Sequence, residues 1–218
     1  MQPRADAATL DAQPVSIMSQ PFRTCYVAFP TRADPALTVA ARLDVPLHEG
    51  DFHAQALNAA GFATLEVDMW SARGSARGAP ARPRSVPETL PDAFAALEFL
   101  GRQPEVDAGA IAIMGFSWGG VVSVLSATRR YAEALAAPGT RFVAHAAFYP
   151  VLWSYNRAPG HELRGLTGAP VLIHAGGAGA DDTPEVCDGF LAGLDPADRE
   201  HVELVVHPGA THAFDRDM

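Results

Sequence analysis

The sequence predicts an α/β fold in which a mostly parallel sheet carries helices on both faces. Segments of strand character alternate with segments of helical periodicity along most of the chain, and this alternation is typical of sheets built from strand–helix–strand units. Ser117, which lies between glycines, stands where a short apolar run passes into a longer one. Because the carboxyl ends of parallel strands line one crevice, we expect functional side chains directly after the predicted strands.

The composition is that of one globular unit. The chain has 218 residues, of which 48% are hydrophobic, and a chain of this length can bury a sizeable core as a single domain. We expect that domain over residues 22–218. Residues 1–21 are rich in Ala, Gln, Pro, Asp and Ser without periodicity, which predicts a flexible N-terminal arm.

The charge and the cysteine content argue against several classes of protein. A nucleic-acid binder needs a basic face, whereas this chain has a formal net charge of −9. No apolar segment approaches the roughly 20 residues that cross a bilayer. Cys25 and Cys187 are too few for a disulfide framework, and no apolar run of signal length follows the N-terminus. We therefore expect a cytoplasmic protein with free thiols and with neither nucleic acid nor membrane as a partner.

The first part of the chain predicts a hairpin, a helix and a third strand. Residues 25–29 and 37–45 have strand character and can pair at an edge of the sheet. A helix is predicted after Asp51, which would be its cap, and Gly61 would end it. Residues 62–68 then predict a strand.

The rest of the chain begins with a surface loop and continues as alternating elements. Residues 71–85 hold four arginines and few apolar side chains. Ser85 and Glu88 form a capping box for the next helix, which Pro91 kinks or restarts. The later elements are a strand ending at residue 115, a helix to about residue 137, strands over 142–149 and 171–174, a helix from 183 and a strand over 201–206.

Gly115, Ser117 and Gly119 form the pattern Gly-x-Ser-x-Gly between a strand and a helix. Such a strand-to-helix elbow holds the serine backbone in a sparsely allowed conformation and exposes its hydroxyl. Glycine at both flanking positions would relieve crowding against the neighbouring strand and helix. The pattern alone arises by chance, but the strand before it and the helix after it are the context that the motif requires. We predict Ser117 as a nucleophile.

An acid and a histidine follow later strands in the order of the α/β-hydrolase arrangement. A serine hydroxyl needs an imidazole to take its proton, and a carboxylate must fix the tautomer of that imidazole. His212 is the predicted base. Asp181 is the first choice for the acid, because Asp182 is expected to support the start of the following helix by its charge. Asp182 remains the alternative.

The developing negative charge on a substrate carbonyl needs hydrogen-bond donors. One candidate is the backbone N–H of Trp118, which follows the nucleophile at the start of a helix. The other is the backbone N–H of Gly50 in the loop after the first central strand. Trp153 lies in an aperiodic segment and is predicted to wall a substrate pocket.

Three stretches together resemble the dienelactone hydrolase family of α/β hydrolases: residues 115–120 (GFSWGG), 208–214 (PGATHAF) and 65–74 (LEVDMWSARG). The resemblance extends over roughly residues 22–215. It implies an α/β-hydrolase fold and hydrolysis of small carboxylic esters or lactones through an acyl-enzyme, without a metal or an organic cofactor. It assigns Ser117 and His212 as nucleophile and base.

The same resemblance suggests two residues that bind substrate. Arg73 matches a position that in the family can contact a substrate carboxylate. Glu49 matches a glutamate that lies beside the nucleophile in cysteine-type members, although a solvent-facing loop charge is the simpler interpretation.

The chain departs from the family pattern in three ways. The nucleophile is Ser117 where the dienelactone-cleaving members use cysteine, which favours an ordinary esterase. The aspartates follow later than the position at Gly179 where the family places its acid. Residues 33–51 are short, and few residues follow His212, so the pattern leaves open a fold that lacks one central strand and the C-terminal helix. A homodimer is one way to cover the sheet face that such a fold exposes.

Two functions follow from these residues. One is a serine esterase or lactonase, and the other is a catalytically weakened homologue that acts as a small-molecule binding or interaction module. His48, Glu49, Asp51 and His53 fit no strong metal-binding pattern, so no metal site is predicted. His145 and His174 lie in apolar strands and are interpreted as core histidines.

Overall fold

The computed structural model describes residues 23–30, 38–45, 52–70, 73 and 83–215. The predicted N-terminal arm lies outside these residues. The described elements, in chain order, are β1 (Arg23–Pro30), β2 (Thr38–Val45), α1 (Phe52–Ala59), β3 (Thr64–Asp68), a 3-10 helix (Val86–Thr89), α2 (Leu90–Leu100), β4 (Ile113–Phe116), α3 (Trp118–Ser126), α4 (Arg129–Leu135), β5 (His145–Phe148), a 3-10 helix (Leu152–Ser154), β6 (Val171–Gly176), α5 (Pro184–Ala192), α6 (Pro196–Arg199) and β7 (Val202–His207).

The strands form two sheets. β1, β2 and β3 make an antiparallel sheet in that order, and β4, β5, β6 and β7 make a parallel sheet in that order. Among the described residues β3 and β4 are not paired with each other. The α/β-hydrolase-like class is confirmed, and the break between the sheets falls where the sequence leaves open a missing central strand.

Helix α2 packs against both sheets. Its residues Phe94 and Leu97 are buried in the main core with Leu125 of α3 and Ile173 of β6. On the antiparallel sheet, a second group of buried residues consists of Phe29, Val39, Ala41, Ala95 and Ala96. Apolar side chains on neighbouring faces of one helix therefore bury surface against both sheets and join them.

Two helices test the sequence prediction. A 3-10 helix precedes α2, and Pro91 lies in the first turn of α2, where its missing N–H costs nothing; the predicted restart is confirmed. The prediction of a single helix to about residue 137 is wrong. Helix α3 ends at Ser126 and α4 begins at Arg129, because Arg129 N donates to the carbonyl of Gly165 and Thr167 N donates to the carbonyl of Ala127. No helix in the described part of the chain is long and apolar enough to cross a membrane.

His145, at the start of β5, is a core histidine. It is buried, and its Nδ1 lies 2.9 Å from the carbonyl oxygen of Ser123 and 3.2 Å from Oγ of Ser126. Burial lowers the pKa of His145 from 6.5 to about 4, against the opposing effect of the Ser123 carbonyl. His174, by contrast, is half-buried, and its ring stacks on Phe148.

This burial predicts a loss of stability in acid. Between pH 6.5 and about 4 the unfolded state binds a proton that the folded His145 does not, so the contribution of His145 is full above pH 6.5 and is lost as the pH falls through that window. The loss is on the order of 3 kcal/mol. Urea unfolding from pH 7 to 4 should show it in the wild type and in His201→Gln, and a flatter profile in His145→Gln. Equal profiles for the two variants would contradict the assignment.

Candidate active site

Ser117 stands at a sharp turn between β4 and α3. Its backbone has φ 51° and ψ −111°, a conformation that costs a non-glycine residue about 1–3 kcal/mol. Two hydrogen bonds hold it: Ser117 N donates to the carbonyl of Phe148 at 2.9 Å, and Val121 N donates to the carbonyl of Ser117 at 3.0 Å. The strained turn is therefore supported from both the sheet and the helix.

The three glycines of the elbow have different roles. A Cβ on Gly115 would lie 2.0 Å from the carbonyl oxygen of Gly119, which is part of the backbone and cannot move aside. A Cβ on Gly120 would lie 2.9 Å from the carbonyl oxygen of Phe148, whereas a Cβ on Gly119 would meet nothing within 4 Å among the described residues. The prediction that both flanking glycines relieve crowding is correct for Gly115 and wrong for Gly119, because the second close approach is at Gly120.

His212 reaches the serine from the loop after β7. Its Nε2 lies 2.9 Å from Oγ of Ser117. This loop packs on the turn after β6, where Ala178 N donates to the carbonyl of Ala210 at 2.8 Å. A Cβ on Gly176 would lie 2.7 Å from the carbonyl oxygen of Thr211. Glycine at that position thus permits the close contact that brings the histidine loop to the elbow.

Asp181 is the acid that lies beside His212. Its Oδ2 is 3.9 Å from Nδ1 of His212, and the two side chains are 41% and 36% exposed. That distance is within the range of an ion pair but longer than a hydrogen bond. The other oxygen, Oδ1, accepts a hydrogen bond from Nε1 of Trp153 at 3.0 Å. Trp153 is exposed at the edge of the site.

Asp182 has a different environment. It is 2% exposed, and its Oδ1 accepts a hydrogen bond from the backbone N of Leu152 at 2.9 Å. Burial raises the pKa of this carboxyl, and the Leu152 hydrogen bond opposes the rise. The start of α5 is capped instead by Thr183, which accepts from Val186 N. The predicted charge support by Asp182 is separate from this cap.

The other predicted site residues are only partly described. Trp118 is the first residue of α3, so its backbone N–H lies at the helix N-terminus next to Ser117. Its ring donates from Nε1 to Oγ1 of Thr89 at 2.9 Å. Gly50 and Glu49, predicted as the second oxyanion donor and as a substrate contact, lie outside the described residues.

Arg73 is engaged by a buried carboxylate. Its two terminal nitrogens lie 2.6 Å and 3.0 Å from the oxygens of Asp92 in α2, and one also donates to the carbonyl of Met69 at 2.8 Å. Asp92 is fully buried, so its two hydrogen bonds hold the guanidinium group of Arg73 against α2. The geometry gives no support to the expected contact between Arg73 and a substrate carboxylate.

Three residues near the site were not predicted as site residues, and one of them, His53, was considered only as a metal ligand. Asp215 accepts hydrogen bonds from the hydroxyl of Tyr149 at 2.5 Å and from Nε2 of His53 at 2.7 Å. Burial would raise the pKa of Asp215, but the bonds from Tyr149 and His53 outweigh it and lower that pKa. The only local signal was the position of Asp215 three residues after His212.

A strained serine at a strand-to-helix elbow, with an imidazole nitrogen at its hydroxyl, defines the α/β-hydrolase class of active site. Nothing in the described residues groups three or more His, Cys, Asp or Glu side chains in a way that could hold a metal ion.

Several solved structures share this fold. An α/β serine hydrolase without a lid from Xanthomonas campestris has a TM-score of 0.61 at 17% identity, with 94% of this chain and 90% of that chain covered. An α/β serine hydrolase homologue from Coxiella burnetii has a TM-score of 0.60 at 18% identity, with 92% and 93% covered. Esterase 2 of Thermogutta terrifontis has a TM-score of 0.61 at 18% identity, with 87% and 85% covered.

The family follows from the sequence. Residues 54–218, more than half of the chain, match the dienelactone hydrolase family. No curated protein matches the sequence significantly. The chain belongs to the dienelactone hydrolase family, and it is a hydrolase of the α/β type.

The unequal roles of the glycines predict unequal effects of substitution. Gly115→Ala should destabilise the protein by about 3 kcal/mol or more, because its methyl group would overlap the Gly119 carbonyl. Gly119→Ala is the matched control and should leave stability unchanged or raise it by up to about 1 kcal/mol, since alanine is the better helix former. Urea unfolding measures both. Similar losses for the two variants would contradict the steric assignment.

Proposed function

We propose that the protein hydrolyses small carboxylic esters or lactones through an acyl-enzyme on Ser117. The observation that carries the proposal is the 2.9 Å contact between Oγ of Ser117 and Nε2 of His212 at the elbow. A serine placed in this way can give its proton to the imidazole as it attacks a carbonyl carbon. Membership of the dienelactone hydrolase family supports a hydrolase.

In the proposed first step, Oγ of Ser117 attacks the carbonyl carbon and its proton passes to Nε2 of His212. The tetrahedral oxyanion accepts hydrogen bonds from the backbone N–H of Trp118 and of Gly50. Nε2 then gives its proton to the leaving alkoxide, so that the C–O bond breaks and the acyl group stays on Ser117. For a lactone, the leaving alkoxide remains attached to the same molecule.

In the second step, a water molecule attacks the acyl-enzyme while Nε2 of His212 takes its proton. Collapse of the tetrahedral intermediate returns that proton to Oγ of Ser117 and releases the carboxylic acid. Throughout, His212 carries a positive charge only transiently. The carboxylate of Asp181, 3.9 Å from Nδ1, is proposed to stabilise that charge and to favour the tautomer whose proton is on Nδ1.

The alternative, a catalytically weakened homologue, rests on the distance between Asp181 and Nδ1 of His212. Because 3.9 Å exceeds hydrogen-bond length, Asp181 orients the imidazole less firmly than a directly bonded acid would. Catalytic hydrogen bonds often tighten only when substrate is bound, and the family and the structural neighbours are hydrolases. These observations favour the enzyme.

An organophosphate and a simple ester test the proposal. Esterase 2 of Thermogutta terrifontis, which shares the fold, has been captured phosphorylated by paraoxon. We expect paraoxon to phosphorylate this protein once per chain, and 4-nitrophenyl acetate to be hydrolysed. Ser117→Ala should abolish the labelling and lower kcat by a factor on the order of 10⁶, whereas Ser85→Ala should change neither. An unlabelled wild type, or a Ser117→Ala variant with full turnover, would refute the proposal.

The two adjacent aspartates should respond differently to the same substitution. Asp181→Asn removes the negative charge beside His212 and should lower kcat by a factor between about 10² and 10⁴. Asp182→Asn keeps an oxygen that can accept the hydrogen bond from Leu152 N, so kcat should be nearly unchanged. Ester turnover of both variants, corrected for the folded fraction, distinguishes them. The opposite ranking would assign Asp182 as the acid.

A further inference from the structure

Asp215 joins three separate parts of the chain beside the proposed active site. Its side chain is 7% exposed, and both of its oxygens are used. Oδ1 accepts from the hydroxyl of Tyr149, which follows β5, and Oδ2 accepts from Nε2 of His53 in α1. Hydrogen bonds to a carboxylate are roughly twice as strong as those between neutral groups. Asp215 thus fastens the end of the His212 loop to the sheet and to α1.

Tyr149 connects this carboxylate to the catalytic imidazole. Its ring is buried and contacts the His212 ring at a centroid distance of 4.9 Å and an interplanar angle of 62°. It also contacts Phe214 edge-on at 5.4 Å. Nδ1 of His212 lies 3.9 Å from Asp181, which is too far for a hydrogen bond. The Tyr149 ring contacts the imidazole directly, so its packing restrains the orientation of that ring.

The backbone on both sides of the contact is in the left-handed region. Tyr149 has φ 41°, and Ala213, next to His212, has φ 62°. Conformations of this kind cost non-glycine residues about 1–3 kcal/mol each and persist only where the surroundings hold them. The hydrogen bonds of Asp215, two residues after Ala213, help to hold this segment, together with the ring contact between Phe214 and Tyr149.

The His53 ring extends the same restraint to the elbow. It lies against Phe116, the residue before Ser117, with ring centroids 4.5 Å apart. Through His53, Asp215 therefore connects to the segment that carries Ser117. Through Tyr149, it connects to the ring that faces His212.

We infer that Tyr149 and Asp215 are positioning residues for His212: the Asp215 carboxylate fixes the Tyr149 hydroxyl, and the Tyr149 ring fixes the imidazole at Ser117. The inference rests on the proposed function for its kinetic consequence. Its structural content, a carboxylate that orients the His212 ring through a tyrosine, stands independently of whether the site is active.

Tyr149→Phe is the most direct test, because it keeps the ring and removes the hydroxyl that donates to Asp215. The matched control is Tyr131→Phe, which removes a hydroxyl that donates to the carbonyl of Gly160 at 2.7 Å away from the site. We expect Tyr149→Phe to lower kcat for 4-nitrophenyl acetate about tenfold to a hundredfold, with little change in KM, since small misplacements of a catalytic group cost this much. Tyr131→Phe should retain wild-type kcat.

Two measurements separate positioning from a loss of folded protein. The first is the maximal rate of ester hydrolysis divided by the amount of serine that paraoxon titrates, which is kcat per titrated serine. A purely structural role lowers the titrated amount but leaves this ratio unchanged. The second is the NMR spectrum of the histidine rings, in which Tyr149→Phe and Asp215→Ala should shift the His212 resonances while those of His145 stay in place.

These measurements also separate the inference from the proposed function. A wild type that paraoxon does not label refutes the proposed function, and the NMR comparison still tests the positioning. Unchanged His212 resonances in both variants would overturn the inference. In an active wild type, a Tyr149→Phe variant with kcat per titrated serine equal to that of the wild type would also overturn it.

Discussion

The close approach of the Gly119 carbonyl to Gly115 is the constraint on which the site depends. The carbonyl occupies the space where a Cβ of residue 115 would be, at 2.0 Å, so β4 and α3 can meet at this angle only if residue 115 has no side chain. The sharp turn forces Ser117 into its strained backbone conformation and presents its hydroxyl at the end of the strand. Ser117 is thus placed by backbone packing rather than by contacts of its own side chain.

The parallel order of β4 to β7 supplies the rest of the site. Each strand ends at the same edge, so the loops after β6 and β7 arrive beside the elbow. Contact between these loops depends on Gly176, because a Cβ there would overlap the backbone of Thr211. The antiparallel sheet contributes through α2, whose buried Asp92 pairs with Arg73. That pair holds the segment after β3 against the helix that joins the two sheets.

The sequence predicted those parts of the structure that depend on local pattern. The contact between Ser117 and His212 could be expected because an elbow and a strand-end histidine have short signatures, and most strands were predicted from their apolar runs. The end of α3 was missed because it is set by hydrogen bonds to the distant segment at Gly165 and Thr167. The same reason applies to Arg73: its loop composition suggested solvent or substrate, but its partner is a single buried acid in α2. Tertiary partners of polar side chains have no local signature.

The carboxylates around the site show how environment, more than residue type, determines role. Asp181 is exposed, faces His212 and shares its charge with the Trp153 ring N–H, so it can respond to a proton on the imidazole. Asp182, its neighbour in sequence, is buried against the backbone of Leu152, where a charge is costly and a hydrogen-bond acceptor is useful. The side chain of Asp215 is largely covered, and the hydrogen bonds from Tyr149 and His53 lower its pKa. If the Asp215 carboxylate moved away, the donors on Tyr149 and His53 would lose their hydrogen-bond acceptor, which costs free energy where water has little access. The Asp215 carboxylate therefore fixes the geometry around His212, whereas the exposed Asp181 faces the imidazole with one carboxylate oxygen.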